Sequence, residues 1–127
     1  MNEADVLGII RAHLEALFPK LCPNCEHRFA TLRDYVQSTT HLGQAIPYDA
    51  ERGDWKPAKP LGTTAFSVCP CGTTMALSSD GMPLETLWSL MSWARAETQR
   101  RGTTPRQLVN SLRDKLCKQV TDEPQGT

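Results

Sequence analysis

Apolar side chains recur at three- and four-residue steps through the first stretch: Val6, Leu7, Ile10, Leu14, Leu17 and Phe18. That spacing predicts an amphipathic helix over residues 3–18, capped by Asn2 and ended by Pro19. His13 lies beside the stripe and is read as a boundary histidine with one wet edge. A second periodic run, Phe29, Leu32, Tyr35 and Val36, predicts a helix over residues 30–41, with Thr31 and Asp34 as a loose capping box and Gly43 just past its end.

The pattern then breaks. Pro47, Gly53, Pro57, Pro60 and Gly62 interrupt every period, so residues 46–48 are expected as a short edge strand and 49–60 as an exposed, extended loop holding Trp55. Two β-prone runs, Thr63 to Val68 and Thr73 to Leu77, flank Cys69-Pro70-Cys71-Gly72 and predict a hairpin with the cysteines in its turn. Beyond it, Leu84, Leu87, Trp88, Met91 and Ala94 make a helical stripe that starts at Pro83 and stops at Gly102. Thr104-Pro105-Arg106-Gln107 opens a further helix whose face is Leu108, Val109, Leu112, Leu116 and Val120. The expected architecture is α+β: a zinc-bearing β-hairpin packed with about four helices, the last two forming an αα-hairpin. Residues 1–120 are expected as a single zinc-binding domain and 121–127 as a flexible tail.

Composition narrows the class. A chain of 127 residues fits one core. No apolar run approaches the roughly 20 residues a membrane helix needs. Met1 is followed by Asn2-Glu3-Ala4-Asp5 and not by a basic-then-apolar leader, so a soluble cytoplasmic protein is expected. Formal charge is zero overall but uneven. Residues 1–85 hold seven Lys/Arg against ten Asp/Glu, and residues 86–120 hold seven against two.

Five cysteines, four of them in two tight pairs, fit metal ligation in a reducing compartment better than a disulfide framework. A Cys-x-x-Cys turn puts two thiolates on one side of a loop whose amides face the sulfurs, and two such turns complete a tetrahedral Zn²⁺ site. The expected ligands are Cys22, Cys25, Cys69 and Cys71. The second pair is one residue shorter than usual, which leaves His41, at the expected end of the second helix, as the alternate ligand. His27 is expected to be exposed, and Cys117 to be a partly buried small residue on the last helix.

The run Cys22-Pro-Asn-Cys25-Glu-His-Arg-Phe29, on to Tyr35 and His41, resembles a Cys2His2 zinc finger over residues 22–41. Ser38 stands where that pattern has its first histidine, so a complete local finger is not formed. The paired turns resemble a zinc ribbon, which implies a structural metal held by two separated knuckles. Cys-Pro-x-Cys also resembles a glutaredoxin redox turn, but helix and Pro19, not a strand, precede it.

Two functional readings follow. In the first, the chain is a small intracellular zinc protein acting as a regulatory or protein-interaction module, with a groove lined by Trp55, Trp88, Met91 and Trp93 and with Trp93 as the exposed anchor. The alternative is nucleic-acid binding through the basic helical pair, by Arg95, Arg100, Arg101, Arg106, Arg113, Lys115 and Lys118. A zinc-dependent or thiol-redox enzyme is the third reading, disfavoured because no residue near the cysteines is spaced as a general base.

Overall fold

The structure is a computed structural model that describes residues 1–123. Helix α1 spans Glu3–Glu15 and is closed at its start by a reciprocal box between Asn2 and Asp5. Strands β1 (Lys20–Leu21) and β2 (Arg28–Phe29) form a two-stranded ribbon, followed by α2 (Leu32–Ser38) with Thr31 as its cap. Then come β3 (Thr40–Pro47), a single helical turn α3 (Tyr48–Glu51), β4 (Thr63–Val68), β5 (Thr74–Ser78), α4 (Leu84–Arg101) and α5 (Pro105–Asp122). The second sheet is antiparallel in the order β3-β4-β5.

Mixed helix and sheet accord with the α+β expectation, but three local expectations are corrected. The second helix stops at Ser38, because Thr39 is already extended and its hydroxyl turns back to the Tyr35 carbonyl at 2.7 Å. His41 therefore lies on β3. The β-branched pair Thr39-Thr40 and the pairing of Thr40 with Val68 win over the helical period. In the expected 49–60 loop, Asp49 is buried in α3, and its carboxylate accepts from the amides of Leu61 at 3.0 Å and Gly62 at 2.8 Å. Gly62 is required there: it has φ +80°, and a Cβ would meet Ser79 Oγ at 2.7 Å. Finally, α5 continues to Asp122, so residues 121 and 122 of the expected tail are helical; 124–127 lie outside the described residues.

Two apolar clusters result. The larger joins Val6 and Leu7 of α1, Leu32 of α2, Leu90 of α4 and Leu108, Leu112, Leu116 and Val120 of α5. The smaller gathers Phe29, Tyr35 and Met75 around Cys22 and Cys69. Phe18 and Leu77 touch both. Helix α5 is central, since it faces β3, α2, α4 and α1.

Its contact with β3 has an unusual hydrogen-bond pattern. The β3–β4 register slips between Leu42 and Ile46, leaving Ala45 without a strand partner there. Asn110 of α5 substitutes: its Oδ1 accepts from the Ala45 amide at 2.9 Å and its Nδ2 donates to the Ala45 carbonyl at 3.0 Å. We expect Asn110→Ala to lower stability by about 1–3 kcal/mol, because a buried amide and carbonyl lose their partners. Asn110→Asp, which keeps only the acceptor, should fall between; denaturant titration of the three proteins distinguishes these outcomes.

Candidate metal centre

Each cysteine pair sits on a tight turn braced by its own ribbon. Pairing of Lys20 with Phe29 and Leu21 with Arg28 brings Cys22 to the mouth of the first turn. There its amide donates to the His27 carbonyl at 3.0 Å and its carbonyl accepts from the Glu26 amide at 3.0 Å. Glu26 takes φ 63°, which the reversal demands. The second turn links β4 to β5: the Cys69 amide donates to Thr73 O at 2.9 Å, and the Gly72 amide donates to Cys69 O at 2.7 Å. Gly72 supplies the left-handed residue, φ 95°.

The two turns face each other, and all four ligand sulfurs lie within 4.8 Å of one another. Cys22 Sγ is 3.7 Å from Cys71 Sγ, and Cys25 Sγ is 3.7 Å from Cys69 Sγ. A tetrahedral ion with metal–sulfur bonds of about 2.3 Å requires sulfurs about 3.8 Å apart. Both close pairs run between the turns, so the cluster has the size of a four-thiolate cage. The shortened Cys69-x-Cys71 spacing does not displace either sulfur. Cys22 and Cys69 are buried while Cys25 and Cys71 face solvent, so the cage has one inner and one outer edge.

The surroundings favour thiolate at two of the four. Backbone amides of Cys25 and Asn24 hold the Cys22 thiol below its ordinary range. The Thr73 hydroxyl, 3.2 Å from Cys71 Sγ, together with the Thr73 amide and the Asn24 side chain, brings Cys71 down to about 5. Neither Asn24 nor Thr73 belongs to a ligand motif; a polar residue inside each cysteine turn is the sequence signal for them.

His41 is not part of the cage. Its Nε2 stands 3.6 Å from Cys117 Sγ, on the β3–α5 side of the molecule, because the early end of α2 puts it on a strand. Burial, and the nearby Arg113 guanidinium, push its pKa down. His27 is exposed and packs edge-on against Phe29 with ring centroids 4.6 Å apart. Cys117 is half-buried, and that burial raises its thiol pKa. His13 Nε2 meets the Ser78 carbonyl at 3.1 Å, as a boundary histidine does.

The candidate partner residues separate. Trp93 is half-buried against the larger core and is not an exposed anchor. Trp55 and Trp88 instead flank an open groove with Lys56, Glu85, Ser92 and Arg95. Trp88 Nε1 donates to the Pro57 carbonyl at 2.8 Å, and the Lys56 ammonium lies 4.8 Å from the ring centroid of Trp88, tying the 52–62 segment to α4. Most of the basic set is ion-paired. Arg100 and Arg101 each reach Glu97 at 2.7 Å, Arg106 reaches Glu51 at 2.6 Å, and Glu3 takes Arg101 at 3.0 Å and Lys115 at 2.9 Å. Arg95 is exposed. Among the described residues, no helix is long and apolar enough to cross a membrane.

Metal uptake displaces protons from thiols. With Cys71 at about 5 in the metal-free chain, zinc titration at pH 7 should release fewer than four protons per ion, and the number should rise as pH falls through 5. Calorimetry in buffers of different ionisation enthalpy measures it; Thr73→Ala, which removes the nearest hydroxyl, should increase the count at pH 7. The centre stands on its own geometry, for no protein-family model matches this chain, and no curated protein and no solved structure matches it either.

Proposed function

We propose that the chain is a zinc-stapled interaction module, in which the metal is structural and a partner protein docks in the Trp55–Trp88 groove to regulatory effect. The observation that carries the structural role is the cluster of four sulfurs, with 3.7 Å contacts between the turns, which would fill all four tetrahedral places of a bound ion. A catalytic zinc keeps one place for water. Four sulfurs leave none, and that weighs against the hydrolase reading. A tetrahedron of four thiolates suits zinc or an iron–sulfur centre, and zinc is the ion this reading assigns.

The docking reading rests on surface chemistry. Two tryptophans, each only partly exposed, border a groove that also presents Arg95 and Lys56. Aromatic and arginine side chains are enriched at binding hot spots, and the two cations suit a partner segment carrying carboxylates. The neutralised state of Arg100, Arg101 and Arg106 weighs against phosphate binding on the helical pair: Glu97 is held down to about 2 by Arg100 and then Arg101, so its charge persists across the physiological range.

Cobalt substitution tests the first half. The Co²⁺ protein should show strong thiolate charge-transfer bands that do not change when imidazole or cyanide is added; a shift on addition would reveal an open place and favour catalysis. For the second half, cross-linking of the zinc-loaded chain in its native cell extract should yield a defined adduct, lost in Arg95→Glu and Trp55→Ala but kept in Arg100→Glu. Retention of single-stranded DNA at low salt, abolished by Arg100→Glu, would instead support the nucleic-acid reading.

A further inference from the structure

Between the sheet and the helices lies a cavity of about 210 Å³. Native interiors rarely contain a void larger than a water molecule, and an apolar cavity of about 150 Å³ already takes up benzene. Its walls are hydrocarbon: Val6 and Ile10 of α1, Val36 of α2, Leu77 of β5, and Leu112 and Leu116 of α5. Water gains little there for want of partners.

One end differs. His41 and Ser67 are directly paired across β3 and β4, so their side chains share a face, and both line the cavity with Tyr35 and Arg113. The Tyr35 hydroxyl is buried beside the Ser67 side chain, and Arg113 Nε is buried with the Asp114 carboxylate 3.5 Å away; neither makes a close hydrogen bond. Arg113 otherwise donates through Nη1 to the Gly43 carbonyl at 3.1 Å and lies 3.5 Å from the exposed Asp114 carboxylate. The polar end thus holds a hydroxyl and a guanidinium N–H that make no close hydrogen bond, next to an imidazole.

We infer that this chamber is a binding site for a small apolar carboxylic acid, its hydrocarbon part among Val6, Val36, Leu77 and Leu112 and its carboxylate accepting from Arg113 and Tyr35. Hydrocarbon fills the void that the core leaves, and the carboxylate offers a charged acceptor to two buried donors that make no close hydrogen bond. None of these residues supplies a sulfur to the cage, although Tyr35 also packs in the cluster around Cys22 and Cys69.

Octanoate and 1-octanol serve as probes, titrated into the zinc-loaded full chain with amide shifts recorded by NMR. Octanoate should bind saturably, at least tenfold more tightly than octanol, with shifts concentrated on α5, β3 and β4. Arg113→Gln should weaken octanoate at least tenfold and leave octanol unchanged. Leu112→Trp should fill the chamber, abolish both, and hold or raise the melting temperature; if that variant fails to fold, Ala94→Leu makes the same test at another wall. Absence of saturable octanoate binding, equal affinity for acid and alcohol, or octanoate binding that survives a folded filling variant would each overturn the inference.

Discussion

The four-sulfur cage is the constraint on which the rest depends. It joins residues 44 and 49 positions apart in the chain, and so fixes the short β1–β2 ribbon against the turn between β4 and β5. The β1–β2 ribbon would not persist alone: its strands have two residues each, and isolated two-stranded pairs are marginal in water. The smaller apolar cluster is built directly on the cage, with Cys22 and Cys69 among its buried members. An ion bridging the sulfurs would close loops of this length, which corresponds to about 4 kcal/mol in the chain-entropy account of cross-links. Metal–thiolate bonding would add to this, since a structural metal's binding free energy is also folding free energy.

Helix α5 plays the corresponding part in the larger cluster. It supplies four of that cluster's buried side chains, completes the irregular edge of β3 through Asn110, and carries two of the cations that Glu3 and Glu51 neutralise. Phe18 and Leu77 connect its core to the cage. The stapled ribbons and the helical layer are therefore mechanically linked through a few side chains. The groove at Trp55 and Trp88 lies on the helical side, where α3 and Asp49 hold the segment that carries Trp55.

Elements with a strong local signal were legible in the sequence. Thr104-Pro105-Arg106-Gln107 states a helix start by itself, and the reciprocal box is present in the structure. Gly102 closes α4 in the left-handed region, as its position suggested. The cysteine turns were legible because chelation requires short spacing. What the chain pattern concealed was decided by distant partners. Residues Thr40 and His41 continue a helical period yet pair with β4, and His41 lies away from the sulfur cluster on that account. Asp49 reads as a loop residue until the amides of Leu61 and Gly62 are brought to it. Trp93 sits off the stripe of Leu84, Leu87 and Met91, but the core wraps far enough around α4 to reach it. The basic bias of the C-terminal part is a true count that is reduced at the surface by acids from elsewhere in the chain, Glu3 and Glu51, which pair with Arg101, Lys115 and Arg106.

X-ray absorption at the zinc edge of the metal-loaded protein addresses the central claim most directly. The account predicts four sulfur scatterers at about 2.3 Å and no nitrogen, unchanged in His41→Ala. Three sulfurs with one nitrogen, or a spectrum altered by His41→Ala but not by Cys71→Ser, would contradict it.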